Sequence, residues 1–171
     1  MDDTSEHIAV AGRTGFAHYS ISLRKWRLFG NETQEKDFIV TGGLLWWRDH
    51  IVMGCYNLAG LHDEIRIYPR IEKLDNSFAK IVKVDAQVLL LNLFNDQLVV
   101  FCADNIITIY NLSMSDPTNP RKKFSCLFSR KKLVKTNKIH FHEFFYYKYF
   151  IKTTFFSRIN SNGRHRKVQI V

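Results

Sequence analysis

With 171 residues, 46% of them hydrophobic and 24% charged, the chain is long enough to bury one domain core of ordinary composition. It has no apolar run of roughly 18 residues and an acidic start without an apolar segment. Neither a membrane-spanning helix nor a secretory signal is therefore expected. The three cysteines show no CxxC spacing, which indicates reduced thiols in a cytosolic protein and no disulfide framework.

The net charge of +9 is distributed unevenly along the chain. Residues 1–120 contain 11 Lys and Arg against 15 Asp and Glu, whereas residues 121–171 contain 14 basic residues and one acid. A mildly acidic body therefore precedes a strongly basic tail, and each part needs its own interpretation.

The N-terminal part of the body consists of short apolar runs separated by turn residues. The first three runs lie at residues 7–11, 16–21 and 26–29. In the second run Phe16, His18 and Ser20 alternate with their neighbours, so one face of a strand can be buried. A helix requires about ten or more residues of 3.6-residue periodicity, and these runs are too short for that. The pattern predicts β-strands joined by tight turns.

Seven further runs continue this pattern and repeat along the chain. They lie at residues 44–47, 51–56, 65–68 and 78–84, and then at 88–93, 98–103 and 106–110. Ile65 and Ile106 are 41 residues apart, and Val52 and Leu98 are 46 apart. Four strands per repeat of about this length are typical of a WD40-type blade, in which neighbouring blades cover both faces of each sheet. We therefore predict an all-β fold, a partial β-propeller of about two and a half WD40-like blades.

Four stretches of the body resemble a known family. They are residues 9–47 (AVAGRTGFAHYSISLRKWRLFGNETQEKDFIVTGGLLWW), 55–70, 74–80 and 87–112. These stretches strongly resemble the ribosome control protein one family. In that family the large subunit carries N-terminal β-propellers and a long helical region, and it pairs with a smaller arrestin-like subunit. Together they act as a guanine-nucleotide exchange factor for the Golgi Rab GTPase of endosome-to-Golgi transport.

The resemblance implies a non-catalytic scaffold fragment of such an exchange complex, with residues 6–112 as the partial propeller. The expected partners are the arrestin-like subunit and the Golgi Rab GTPase, and the expected location is cytoplasmic, peripherally on the Golgi membrane. No cofactor and no small-molecule substrate are expected, because no phosphate-loop, GxSxG, HExxH or GxGxxG motif occurs. Since propellers typically need about four to eight blades, we expect no nucleotide exchange by the fragment alone.

Candidate interface positions follow from expected loops and from aromatic residues. Trp46 and Trp47 are neighbours on one strand and must point to opposite faces, so one is expected in the core and the other at a contact surface. Asp63 and Glu64 are expected in a solvated loop after Gly60. The candidate interface residues are Arg13, Trp47, His62, Arg70 and Lys73.

The predicted tail comprises residues 113–171, because Pro117 and Pro120 end the strand pattern. Four interpretations remain open: a disordered or non-native C-terminus such as translated intron sequence, a surface for anionic Golgi lipids, a nucleic-acid-binding segment, or a helix that docks on the parent complex. Nucleic-acid binding is disfavoured because no RNP-like or zinc motif is present. The basic residues concerned are Arg121, Lys122, Lys123, Arg130, Lys131 and Lys132.

A metal site in the tail is not expected. His140 and His142 could face one side of a strand, with Glu143 nearby and Cys126 more distant. Structural zinc normally requires four ligands with CxxC or HxxxH spacing, and this spacing is missing.

Overall fold

Antiparallel β-strands dominate the computed structural model, which describes residues 1–2, 4–70 and 73–114 and the backbone of 126–135. The strands are β1 (His7–Ala11), β2 (Phe16–Ser20), β3 (Lys25–Arg27), β4 (Phe38–Trp47), β5 (His50–Asn57), β6 (His62–Pro69), β7 (Lys80–Val84), β8 (Val88–Phe94), β9 (Gln97–Cys102), β10 (Ile106–Met114) and β11 (Cys126–Lys135). A short helix α1 (Glu32–Lys36) precedes β4, and a 3-10 helix (Asn76–Phe78) precedes β7. The predicted all-β fold is confirmed.

The strands form three sheets, and each sheet is built from strands that follow one another in the chain. The first sheet contains β1 to β3, the second β4 to β7, and the third β8 to β11. Strand β4 contacts both β1 and β8, so the first strands of the three sheets are neighbours. Consecutive sheets that pack through their faces around such first strands are the blades of a β-propeller.

Strand pairing continues beyond the point at which the sequence predicts its end. Strand β10 runs to Met114, and β11 pairs along it within the segment assigned to the tail. The boundary predicted at residue 112 is therefore too early, and the third sheet has a fourth strand that the sequence did not predict. An outermost strand has a neighbour on one side only, which makes the Lys- and Arg-rich composition of this segment compatible with it.

The other predictions for the tail fall outside the described residues. Arg121, Lys122 and Lys123, like His140 and His142, are among the residues that the structure does not describe. Arg130, Lys131 and Lys132 belong to the backbone of β11, and their side chains are likewise not described.

Alternating side chains of β5 bury both faces of the second sheet. Ile51, Met53 and Cys55 pack toward the first sheet, whereas Val52 packs toward the third. Burial raises the pKa of the Cys55 thiol, which keeps this reduced cysteine neutral. The two-residue period of a strand thus divides the core into two clusters, one on each side of the second sheet.

The second and third sheets approach closely at two glycines. A Cβ atom added at Gly42 would lie 2.2 Å from Val88 Cγ1, and one added at Gly54 would lie 2.6 Å from the same atom. Both distances are far below ordinary van der Waals contact, so the side chain of Val88 fills the space that the two glycines leave open. Val88 itself is fully buried in the core between the sheets.

We expect Gly42→Ala and Gly54→Ala each to lower the free energy of unfolding by about 1–3 kcal/mol, the usual result of forcing a methyl group into a filled core. Urea denaturation of the 171-residue chain measures this change. Gly30→Ala is the matched control, because a Cβ at Gly30 meets no atom within 4 Å. Equal stability of all three variants would contradict the close packing of Val88.

Candidate protein-interaction surface

The first sheet has an open outer edge. Strand β3 pairs with β2 through Trp26 opposite Tyr19 and Arg27 opposite His18. In the part of the chain that the structure describes, no strand pairs with the other side of β3. The second and third sheets carry a fourth strand at this position, so the first sheet is one strand short.

A groove with a volume of about 640 Å³ lies along this open edge. Strand β3 and the residues that follow it form one wall, and residues 73–75 form the other. The lining residues are Ser20, Leu23, Lys25, Trp26, Arg27, Leu28, Gly30, Asn31, Gln34, Lys73, Leu74 and Asp75.

Apolar side chains near the groove are unusually accessible. Leu23 is 70% exposed, Trp26 50% and Leu28 64%. The Trp26 ring rests on Tyr19, with the ring centroids 5.1 Å apart, so the indole is held against the sheet on one side. Clustered exposed apolar side chains beside an unpaired strand edge are typical of a surface that another protein covers.

The described residues that line the groove carry a net positive charge. Lys25, Arg27 and Lys73 are the basic residues among them, against one carboxylate, Asp75. The backbone N–H of Ser77 donates to Asp75 Oδ1 over 2.8 Å. That hydrogen bond lowers the pKa of Asp75, which therefore remains ionised at neutral pH but already has a partner. The net field of the groove favours acidic ligands.

Helix α1 and the 3-10 helix are tied together behind the groove. Asn31 caps α1, because its Oδ1 accepts the backbone N–H of Gln34 over 2.8 Å. The Gln34 side-chain oxygen accepts the backbone N–H of Asn76, and Asp37 accepts a hydrogen bond from the Asn76 amide over 2.7 Å. A parallel bridge between Phe29 and Leu74 joins the two walls.

A buried polar network lies beneath this junction. Arg66 donates from Nε to Glu64 and from Nη1 to the Tyr68 hydroxyl, and Tyr68 donates to Asn76 Oδ1 over 2.7 Å. Its guanidinium carbon also lies 4.0 Å from the centroid of the Phe38 ring. Arg66 and Tyr68, on one face of β6, therefore hold Asn76 in place, and Asn76 in turn holds α1.

The prediction that Glu64 lies in a solvated loop is wrong. The turn after Gly60 ends at Leu61, which adopts a positive φ of 50°, and β6 then begins at His62. Glu64 is fully buried, and Arg66 on the same strand face pairs with its carboxylate. Because its charge is paired with that of Arg66, Glu64 can occupy a buried position on a strand.

A second polar feature between the first and second sheets is His18. This residue is buried, and its ring packs edge-on against Trp46 with the centroids 6.1 Å apart. Neither ring nitrogen has a hydrogen-bond partner among the described residues. Burial, with smaller effects of Arg27, His7 and Arg70, lowers the pKa of His18 from 6.5 to about 4.

Of the predicted interface residues, the structure places only Lys73 at the groove. Arg13 is exposed in the turn between β1 and β2. His62 contacts Glu64 Oε2 over 2.9 Å, and Arg70 donates to Asp49. The interface roles of these four residues stay predictions.

The expectation that Trp47 is a surface contact is wrong. It is only 1% exposed, lies in the core between the second and third sheets, and donates from Nε1 to Asp96 over 2.8 Å. Both faces of the second sheet are covered by other sheets, so neither Trp46 nor Trp47 is an exposed residue. The sequence analysis missed Trp26, although its alternation with Lys25 and Arg27 on a short strand was a usable signal.

Within the described residues, no helix is long and apolar enough to cross a membrane. The same part of the chain contains no group of three His, Cys, Asp or Glu side chains that could hold a metal ion.

We expect Arg66→Met to lower the free energy of unfolding by about 3–5 kcal/mol, because Glu64 would be left buried without its cation. Adding Glu64→Gln should restore part of the loss, since the orphaned charge is then removed. Arg48→Met is the matched control: its pair with Asp96 is half-exposed, so a loss of at most about 1 kcal/mol is expected. Urea denaturation measures these three variants, Glu64→Gln alone and the original chain, and additive effects of the Glu64 and Arg66 changes would contradict the network.

Stability should also depend on pH through His18. The unfolded chain protonates this residue below about pH 6.5, whereas the folded chain keeps it neutral down to about pH 4. The unfolded state therefore binds more protons in this window, and the free energy of unfolding must fall as pH falls through it. His18→Phe should show a smaller decrease between pH 6.5 and 4.5 in urea denaturation. Parallel pH profiles of the two proteins would show that His18 titrates normally.

Comparison with known proteins places these features in a family. The chain matches the family model described as RIC1 second beta propeller domain over residues 1–163. This match extends past residue 112, where the resemblance seen in the sequence was expected to end. No solved structure matches the chain significantly.

Three relatives cover much of the chain. Over 120 residues, which are 70% of this chain, the sequence is 51% identical to the guanine nucleotide exchange factor subunit RIC1 of Mus musculus. It is 49% identical over 112 residues to the Homo sapiens subunit of the same name and 37% over 114 residues to the subunit R06F6.8 of Caenorhabditis elegans, 66% of this chain in each case. The match spans 8% of each relative's length. By the extent of the family match and these identities, the chain belongs to the family of RIC1 second β-propeller domains.

Proposed function

We propose that this chain is a non-catalytic scaffold segment of a guanine-nucleotide exchange factor complex and that it acts through protein–protein contacts. The observation that carries the proposal is that about half of the aligned residues are identical to those of two subunits named for that activity. The match covers 8% of those subunits, so their activity is carried over to this chain only as a proposal.

The substrate of the complex is, in this proposal, the Rab GTPase of the Golgi in retrograde endosome-to-Golgi vesicle transport. The arrestin-like smaller subunit is the second partner, and the complex associates peripherally with the cytoplasmic face of the Golgi membrane. The resemblance of residues 9–112 to the large subunit of such a complex supports these assignments.

Nucleotide exchange requires binding surfaces and no covalent chemistry by the factor. An exchange factor binds the nucleotide-free GTPase more tightly than the loaded one and thereby shifts the equilibrium toward release. A rigid stack of β-sheets with an exposed apolar and basic edge is suited to such contacts. The polar network from Glu64 to Asn76 would keep that edge in one geometry.

The charge of the tail supports a second candidate function. Residues 121–171 carry 14 basic residues and one acid, which favours attraction to anionic Golgi lipids or, less specifically, to nucleic acid. A non-functional truncated product is the remaining alternative. The lipid and nucleic-acid hypotheses predict binding that decreases steeply with salt and does not depend on the β-sheets.

The tagged 171-residue chain, immobilised after purification, should retain the purified arrestin-like subunit or the nucleotide-free Golgi Rab GTPase at physiological salt. GTP-loaded GTPase should bind more weakly, and the chain alone should leave the rate of nucleotide release unchanged. Vesicles containing phosphatidylserine and a structured RNA are tested in parallel. Retention of neither protein, with salt-sensitive binding of vesicles or RNA, would replace the scaffold proposal with the tail hypothesis.

A further inference from the structure

We infer that the open edge of β3 and the adjoining groove bind an acidic, extended segment of a partner protein, which pairs as the fourth strand of the first sheet. The inference rests on the proposed role in protein contacts and names the chemistry of one contact.

Strand pairing is the first argument. Strand β3 uses one edge for β2, and among the described residues no strand occupies the other edge, whereas β7 and β11 complete the second and third sheets. An unpaired edge presents backbone donors and acceptors that an added strand can satisfy. After β3 the chain pairs with Leu74 at Phe29 and then forms α1.

The groove provides room for the side chains of an added strand. Its volume of about 640 Å³ lies between β3 and residues 73–75. Leu74, one of its lining residues, is buried. Alternate residues of a peptide paired to β3 would point toward this space, because successive side chains of a strand face opposite sides.

The exposed apolar residues at and beside β3 predict which positions of the bound peptide are apolar. Trp26 and Leu28 are two residues apart, with Trp26 in β3 and Leu28 directly after it, and both are at least half exposed. Leu23 extends the same accessible apolar area at the turn before β3. An aromatic residue held on one side and open on the other is a frequent anchor of protein interfaces. The peptide should therefore carry apolar residues at alternate positions.

The charge of the lining residues predicts the polar positions of the bound peptide. Lys25, Arg27 and Lys73 line the groove, and Asp75, the one carboxylate among its described lining residues, accepts the Ser77 N–H. The occupant should accordingly be acidic. Residues 121–171 of this chain have the same sign of charge as the groove, so charge complementarity favours a segment of another protein.

A probe for this site is a short, capped, fluorescent peptide that alternates aspartate and valine. Fluorescence anisotropy with the 171-residue chain should show saturable binding that weakens as salt rises. The same peptide with lysine in place of aspartate should not bind. Two further peptides are N-methylated, each along a different edge of the extended backbone. Only one edge of the peptide can pair with β3, so strand pairing should be lost in one of the two peptides, whereas surface adsorption would be the same in both.

Matched variants place the binding on β3. Trp26→Ser and Lys25→Glu should each weaken binding about tenfold. Ile81→Ser and Lys80→Glu change the same kinds of residue on the outer strand of the second sheet, where Ile81 is 40% exposed, and should bind like the original chain. Since Trp26 and Lys25 are exposed, all four variants should keep the circular dichroism spectrum and the unfolding midpoint of the original chain.

Several outcomes would overturn the inference. These are equal binding of acidic and basic peptides, equal loss with the β7 variants, or unchanged binding of both N-methylated peptides. The two proposals fail separately. Retention of the GTPase or the arrestin-like subunit without peptide binding would leave the scaffold role and remove this site. Peptide binding without retention of either protein would leave the site and remove the assigned complex.

Discussion

The requirement that both faces of the second sheet be covered is the constraint on which the rest of the structure depends. Strand β5 places alternate apolar side chains on opposite faces, so neither face can remain in water. The third sheet covers one face through Val88, which fits over Gly42 and Gly54 at a distance that a methyl group would not permit. The first sheet covers the other face, where the rings of Phe16 and Tyr68 lie 5.0 Å apart.

The covering of the second sheet by the first determines where polar groups can be buried. Arg66 lies in that interface beside Glu64, and its ion pair makes the acid tolerable in the core. Their network continues through Tyr68 and Asn76 to α1, which forms part of the groove. The geometry of an exposed surface is thus set by charges buried beneath it, and a change in the network should be felt at the groove.

The first sheet differs from the other two in having three described strands where they have four. Its third strand has no described partner on the outer side, and the half-exposed Trp26 lines the groove there together with basic residues. An unprotected edge is a liability for a free protein because it invites pairing with other chains. In a segment that belongs to the RIC1 family, the same edge is suited to holding a partner in a fixed register.

The sequence by itself determined the all-β class and the order of the strands, because two-residue alternation and turn residues are local properties. Only the tertiary structure decided that Trp47 is core, that Glu64 is buried, that β11 pairs with β10 in the third sheet and that β3 has no outer neighbour among the described strands. Each of these depends on what another part of the chain places against the residue. A local pattern states which side chains share a face, but it does not state what covers that face.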